Sequence, residues 1–134
     1  MPAFMPAVPE PVLSAEERAA FDRGVREFNG GLYFECHDTL EDLWSGVRGP
    51  SRDFFQGLIQ VAVGHYHLGN ANGAGAASMF ERALRRFEQY PERYFGFDLE
   101  QQRAQLREAL ERFATSGPTG APSAPPQWRF DEDR

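Results

Sequence analysis

His37 and Glu41 stand four residues apart in the stretch "YFECHDTLEDLW", with Trp44 one step further on. On a helix that spacing puts imidazole, carboxylate and indole on one stripe. A carboxylate beside an imidazole is the usual apparatus for moving a proton. The same pair can chelate a cation. Glu35 and Asp38 add acids nearby, so Glu35, His37 and Glu41 are the candidates for general base and its partner. A later stretch, "RDFFQGLIQVAVGHYHLG", is apolar on nearly every side except for Gln56, Gln60 and His67, which share one stripe. A polar stripe on a helix this apolar needs hydrogen-bond partners, because an unpaired buried group costs about 1–3 kcal/mol. His37 and Glu41 are the expected partners.

Three chemistries compete for these residues. One is a buried hydrogen-bonded network that fixes helix register. The second is a pocket for a small molecule or a reaction, formed by His37, Glu41, Trp44, Gln56, Gln60, His67 and Asn70. The third is a divalent-metal site on His37, Glu41 and His67; it lacks an HExxH motif and a second carboxylate ligand on another helix. His65, two residues from His67, points to another face and reads as a packing residue. Cys36 reads as a small core hydrophobe.

The elements that must position these residues are helices. Ser14 and Glu17 form a capping box before Phe21, Val25 and Phe28, and Asn29-Gly30-Gly31 ends that helix. A second helix covers 32–46, with Tyr33, Cys36, Leu40, Leu43 and Val47 as its core stripe. A third runs from 51 to 68 at the centre of the bundle. On it Gly57 and Gly64, seven apart, suit the close approach of another helix. A fourth spans roughly 72–90, and a fifth starts after Asp98 and reaches about Thr115. Short connections predict an all-α, compact bundle of about five mostly antiparallel helices. Residues 1–13 and 117–134 are Pro-rich or acidic and read as disordered tails flanking a helical domain at 14–116. Truncation after Ser116 is then expected to leave stability nearly unchanged, unless Trp128 and Phe130 dock on the bundle.

The chain has 134 residues, a formal charge of −6, and 14 basic residues that are all arginine. An acidic domain gains no electrostatic help with nucleic acid, and no apolar run approaches a membrane span. The single cysteine and the absence of a signal-peptide pattern at the start lead to a cytoplasmic location as the expectation. The partner is expected to be a small molecule or a protein, with no nucleic acid and no membrane; a homo-oligomer is compatible with the sequence.

"FNGGLYFECHDTLEDLW", "RDFFQGLIQVAVGHYHLGNANGA" and "GFDL" together resemble the bacterial and archaeal domain of unknown function 309 family over about residues 15–113. Glu35, His37, Glu41, Trp44, Gln56, Gln60, His67 and Asn70 fall on the matching positions, while Asp38 stands where the family more usually has glutamate. The resemblance implies a small all-α bundle and a shared pocket, and it implies no reaction. The expected function is a small-molecule-binding or interaction module with a polar pocket between the second and third helices. The alternative is a metal-assisted or acid–base enzyme, such as a hydrolase, built on His37, Glu41 and His67.

Overall fold

A computed structural model describes residues 8–117 and 125–131. Five helices make up most of it: α1 (Ala15–Asn29), α2 (Tyr33–Gly46), α3 (Arg52–Gly69), α4 (Gly73–Phe87) and α5 (Leu99–Ser116). Between α4 and α5 lies a two-stranded antiparallel hairpin, β1 (Arg93–Tyr94) and β2 (Phe97–Asp98). The fold is all-α apart from this hairpin.

Local chemistry sets the helix boundaries. The Ser14 hydroxyl accepts from the Glu17 N–H at 3.1 Å and the Glu17 carboxylate accepts from the Ser14 N–H at 2.9 Å, a complete capping box. Asn72 and Asp98 cap α4 and α5 by accepting from the N–H groups of Gly75 and Gln101. The hairpin turns at Phe95-Gly96, both with positive φ, a geometry suited to two-residue hairpins.

Each helix packs on the next in sequence. Phe21, Phe28, Cys36, Leu40, Phe54, Phe55, Leu58, Phe80 and Phe87 form the centre of the core. A Cβ on Gly57 would lie 2.5 Å from Phe87 Cε1, and one on Gly64 would lie 2.4 Å from Phe80 Cε1. The two glycines therefore let the rings of α4 rest against the backbone of α3. Arg103, on α5, is buried and donates to the carbonyls of Phe87 (2.7 Å) and Tyr90 (3.0 Å). It closes the end of α4 with a side chain from a different helix.

Both expected tails carry ordered contacts. Pro9 accepts a hydrogen bond from the Tyr94 hydroxyl, the Glu10 carboxylate accepts from the Phe95 N–H at 2.9 Å, and Val8 and Leu13 pack on the core. At the other end Trp128 is 2% exposed and Phe130 pairs with Phe97 in an isolated bridge. A disordered segment through residue 13 and a free tail from 117 onward therefore do not describe 8–13 and 125–131. The reason is apolar: Trp128 and Phe130 bury enough surface to offset their ordering. The expectations for 1–7, 118–124 and 132–134 lie outside the described residues.

Candidate functional site

The α2–α3 seam holds most of the residues whose chemistry stood out. Tyr33 meets His65 at a ring separation of 5.4 Å, and the Arg52 guanidinium lies 3.9 Å over the Trp44 ring. The start of α2 thus faces the end of α3, and the end of α2 faces the start of α3. This antiparallel register sets Gln56 and Gln60 opposite the middle of α2, where His37 and Glu41 stand.

Arg52 is the positioning residue that sequence reasoning missed. Besides stacking on the indole, it donates to the carbonyls of Trp44 (3.0 Å) and Val47 (2.8 Å). One side chain thereby fixes the orientation of Trp44 and closes the last turn of α2. An Arg eight residues after a Trp, across a Gly-Pro turn, carries no local signal of that contact.

His37 Nε2 lies 2.8 Å from Glu41 Oε2, the contact expected from the i,i+4 spacing. Its Nδ1 lies 3.2 Å from Asp38 Oδ1 but lacks hydrogen-bond alignment, and that nitrogen is buried without a partner. The imidazole is about a quarter exposed, whereas the carboxylates of Glu41 and Asp38 are more than half exposed. Glu35 and Asp42 are exposed. Two more buried polar atoms on these helices lack protein partners, Trp44 Nε1 and Gln60 Oε1. The expected bond from helix two to Gln60 is therefore not made, because Glu41 turns along its own helix to His37. Gln56 is half-buried one turn before Gln60.

His67 and Asn70 serve the turn between α3 and α4. His67 Nδ1 is 3.3 Å from Asn72 Nδ2, and the Asn70 amide donates to the Tyr66 carbonyl at 3.1 Å. Among the described residues no three His, Cys, Asp or Glu side chains converge as a metal-ligand group, so His67 does not join His37 and Glu41. His67, the third ligand of the alternative metal reading, instead meets the Asn72 amide in the turn after α3.

His65 and Cys36 are both core residues. The His65 ring sits against Phe28, Tyr33 and Phe80, and burial pushes its pKa down to about 4. The Cys36 thiol is pushed up to about 12 by burial and secondarily by Glu27, so it is no nucleophile at neutral pH.

Two clefts can be traced on the described surface. One of about 650 Å³ lies between α5 and the segment 125–131, with Phe28, His65, Phe80 and Trp128 among its walls. The other, about 280 Å³, lies between Val8, Gly49, Pro50, Asp53 and Tyr90. Neither is lined by a candidate residue that the sequence singled out, although Arg52, which holds Trp44, lines the second. Between α2 and α3, where a polar pocket was expected, the seam carries the orphaned polar atoms of His37, Trp44 and Gln60. No described helix is long and apolar enough to cross a membrane.

The segment that carries this seam is similar to segments of known proteins. The protein of Bacillus subtilis (strain 168) described as Uncharacterized protein YpuF is 39% identical over 54 residues, 40% of this chain and 31% of that protein. An uncharacterized protein of Aquifex aeolicus (strain VF5) is 26% identical over 84 residues, 62% of this chain and 25% of that protein. The matched region spans less than a third of either relative. The family model described as Domain of unknown function (DUF309) matches residues 21–79, narrower than the 15–113 of the sequence resemblance and inclusive of every candidate residue. Over residues 21–79, less than half of the chain, the sequence is similar to this family.

Proposed function

We propose that the domain is a binding module and that the α2–α3 seam is its recognition site. The observation that supports this reading is the trio of buried polar atoms without a hydrogen bond on facing helices: His37 Nδ1, Trp44 Nε1 and Gln60 Oε1. Each costs about 1–3 kcal/mol if left unmade. A small domain bearing several such groups on one seam gains that free energy back when a ligand supplies the bonds. The set contains an obligate donor, the indole N–H, and an obligate acceptor, the amide oxygen. A group that both accepts and donates, such as an amide, suits it.

The two tryptophans provide the test. Trp44 Nε1 has no partner, whereas Trp128 Nε1 donates to Gln102 Oε1 at 3.0 Å inside the core. In a nitrogen-15 spectrum of the labelled chain mixed with extract of its own cells, the Trp44 indole signal should move or broaden while that of Trp128 stays. Fractionating the extract by size tells a small molecule from a macromolecule. An unmoved Trp44 signal in every fraction removes the proposal.

A second reading, acid–base catalysis, is favoured by the 2.8 Å contact between His37 and Glu41. It is weaker because the dyad lies on open helix surface, where water is not excluded from a reacting group.

A further inference from the structure

Two of the four exposed large apolar side chains of the described residues, Phe34 (49% exposed) and Tyr66 (40%), meet at the open end of the seam, and Leu32 (51%) precedes them at the start of α2. The Phe34 and Tyr66 rings are 5.5 Å apart, and Phe34 is 5.8 Å from His37. Phe34 projects from the first turn of α2 and Tyr66 from the last turns of α3, so the patch continues the line of the polar seam. Scattered exposed apolar residues are ordinary, but a contiguous patch rimmed by charge marks a contact surface.

On the α2 side the rim is acidic, while Arg52 of α3 stands at the far end, stacked on Trp44. Helix α2 carries Glu35, Asp38, Glu41 and Asp42 and no Lys or Arg. Only His37 approaches two of those carboxylates, and its single charge when protonated leaves the helix net negative. Two copies of such a face repel one another, and nucleic acid is repelled as well. A positive segment with an apolar anchor is complementary on both counts.

Resting on the binding-module reading, we infer that the seam and its apolar end dock a basic amphipathic stretch of another polypeptide. Its apolar side chain covers Phe34 and Tyr66, and its Lys or Arg residues pair with the α2 acids. Peptide groups of the same stretch, about two helical turns apart along the seam, offer the N–H that Gln60 Oε1 lacks and the C=O that Trp44 Nε1 lacks.

The test places the photoreactive residue benzoylphenylalanine at position 34 of the full chain in its own cells. The same residue at position 12, where Val12 is 96% exposed, is the control. The adduct peptide is then sequenced. The proposal expects an adduct from position 34 and not from 12, on a segment with net positive charge and apolar residues at helical spacing. Combined neutralisation by E35Q, D38N, E41Q and D42N should lower its yield by about tenfold or more. Glu81→Gln with Glu111→Gln, exposed acids on α4 and α5, should leave it unchanged. An adduct on a neutral or acidic segment, on a second copy of this chain, or insensitive to the α2 acids overturns the basic-partner inference while the binding module stands. No adduct at 34 above the control overturns the docking face, and the Trp44 signal in extract then decides whether the seam binds anything at all.

Discussion

The indole of Trp128 lies flat on the ring of Phe28, with centroids 3.6 Å apart and planes 3° from parallel. Next to it the side chain of Asn29 bonds both faces of the Trp128 peptide. Its amide donates to the Trp128 carbonyl at 2.9 Å and its oxygen accepts the Trp128 N–H at 2.6 Å. Trp128→Ala should therefore destabilise by about 3–5 kcal/mol, as for other buried Trp truncations. Truncation after Ser116 should lower the melting temperature by about 10 °C or more. A calorimetric scan of both variants checks this, and an unchanged Tm would mean the strap contributes nothing in solution.

Gly57 should not tolerate a side chain. Alanine has the higher helix propensity by about 1 kcal/mol, yet its Cβ would meet the Phe87 ring at 2.5–3.0 Å on three atoms. Phe87 is fully buried and has no room to swing away. Gly57→Ala should cost about 1–3 kcal/mol in urea unfolding and Gly57→Leu more. A stabilised Gly57→Ala protein would show that α3 and α4 are further apart.

The seam should respond differently to substitution than a satisfied core network does. Because Gln60 Oε1 has no protein partner, Gln60→Met should be neutral or stabilising by about 1 kcal/mol. The same change should weaken any partner that bonds there. Glu41→Gln and Glu41→Leu should each cost about 0.5 kcal/mol or less, since only an exposed i,i+4 contact with His37 is lost. Asp42→Asn should do nothing measurable. A loss of more than 2 kcal/mol in Gln60→Met would show the amide is satisfied in solution.

His65 should make stability pH-dependent. Its pKa is lowered to about 4 by burial against an ordinary 6.5. Above pH 6.5 the ring is neutral in both states and nothing is lost. As the pH falls from 6.5 towards 4 the unfolded chain takes up the proton and the folded one does not, so stability declines by about 3 kcal/mol. His65→Phe should remove that portion of the decline. The Glu100 carboxyl is held below its usual range mainly by its bond from Arg103. It contributes stability that is lost only below about pH 4.5, so the difference between the two proteins in urea melts from pH 7 to 5 reads His65 apart from Glu100. A slope unchanged in His65→Phe would place the imidazole in water.

Helices were legible because their signals are local. The capping box at Ser14, the N-caps at Asn72 and Asp98 and the apolar periodicities each lie within one or two turns. The i,i+4 contact of His37 with Glu41 followed from spacing alone. What the sequence hid depends on distant partners. Asn29 looked like a helix stop, yet its amide serves a residue 99 positions away. Arg103 carries no local signal of its role, which exists only because the open carbonyls at the end of α4 lie beside it. His67 fell on the polar stripe by periodicity, but the turn after α3 recruits it to Asn72. Gln60 was expected to find a partner because buried amides usually do, and its orphaned oxygen is visible only once α2 and α3 are docked.

The position of Trp128 also sets the order in which the domain can be finished during synthesis. Helix α1 and the Asn29 cradle are made 99 residues before the indole that covers Phe28. At about 5–20 residues per second a ribosome takes roughly 5–20 s to bridge that gap. Throughout that interval the nascent chain presents an uncovered aromatic ring and an unfilled amide, a landing site for a chaperone that recognises apolar groups. Closure is a late, single event made by a few residues, and it ends that vulnerability when Trp128 arrives.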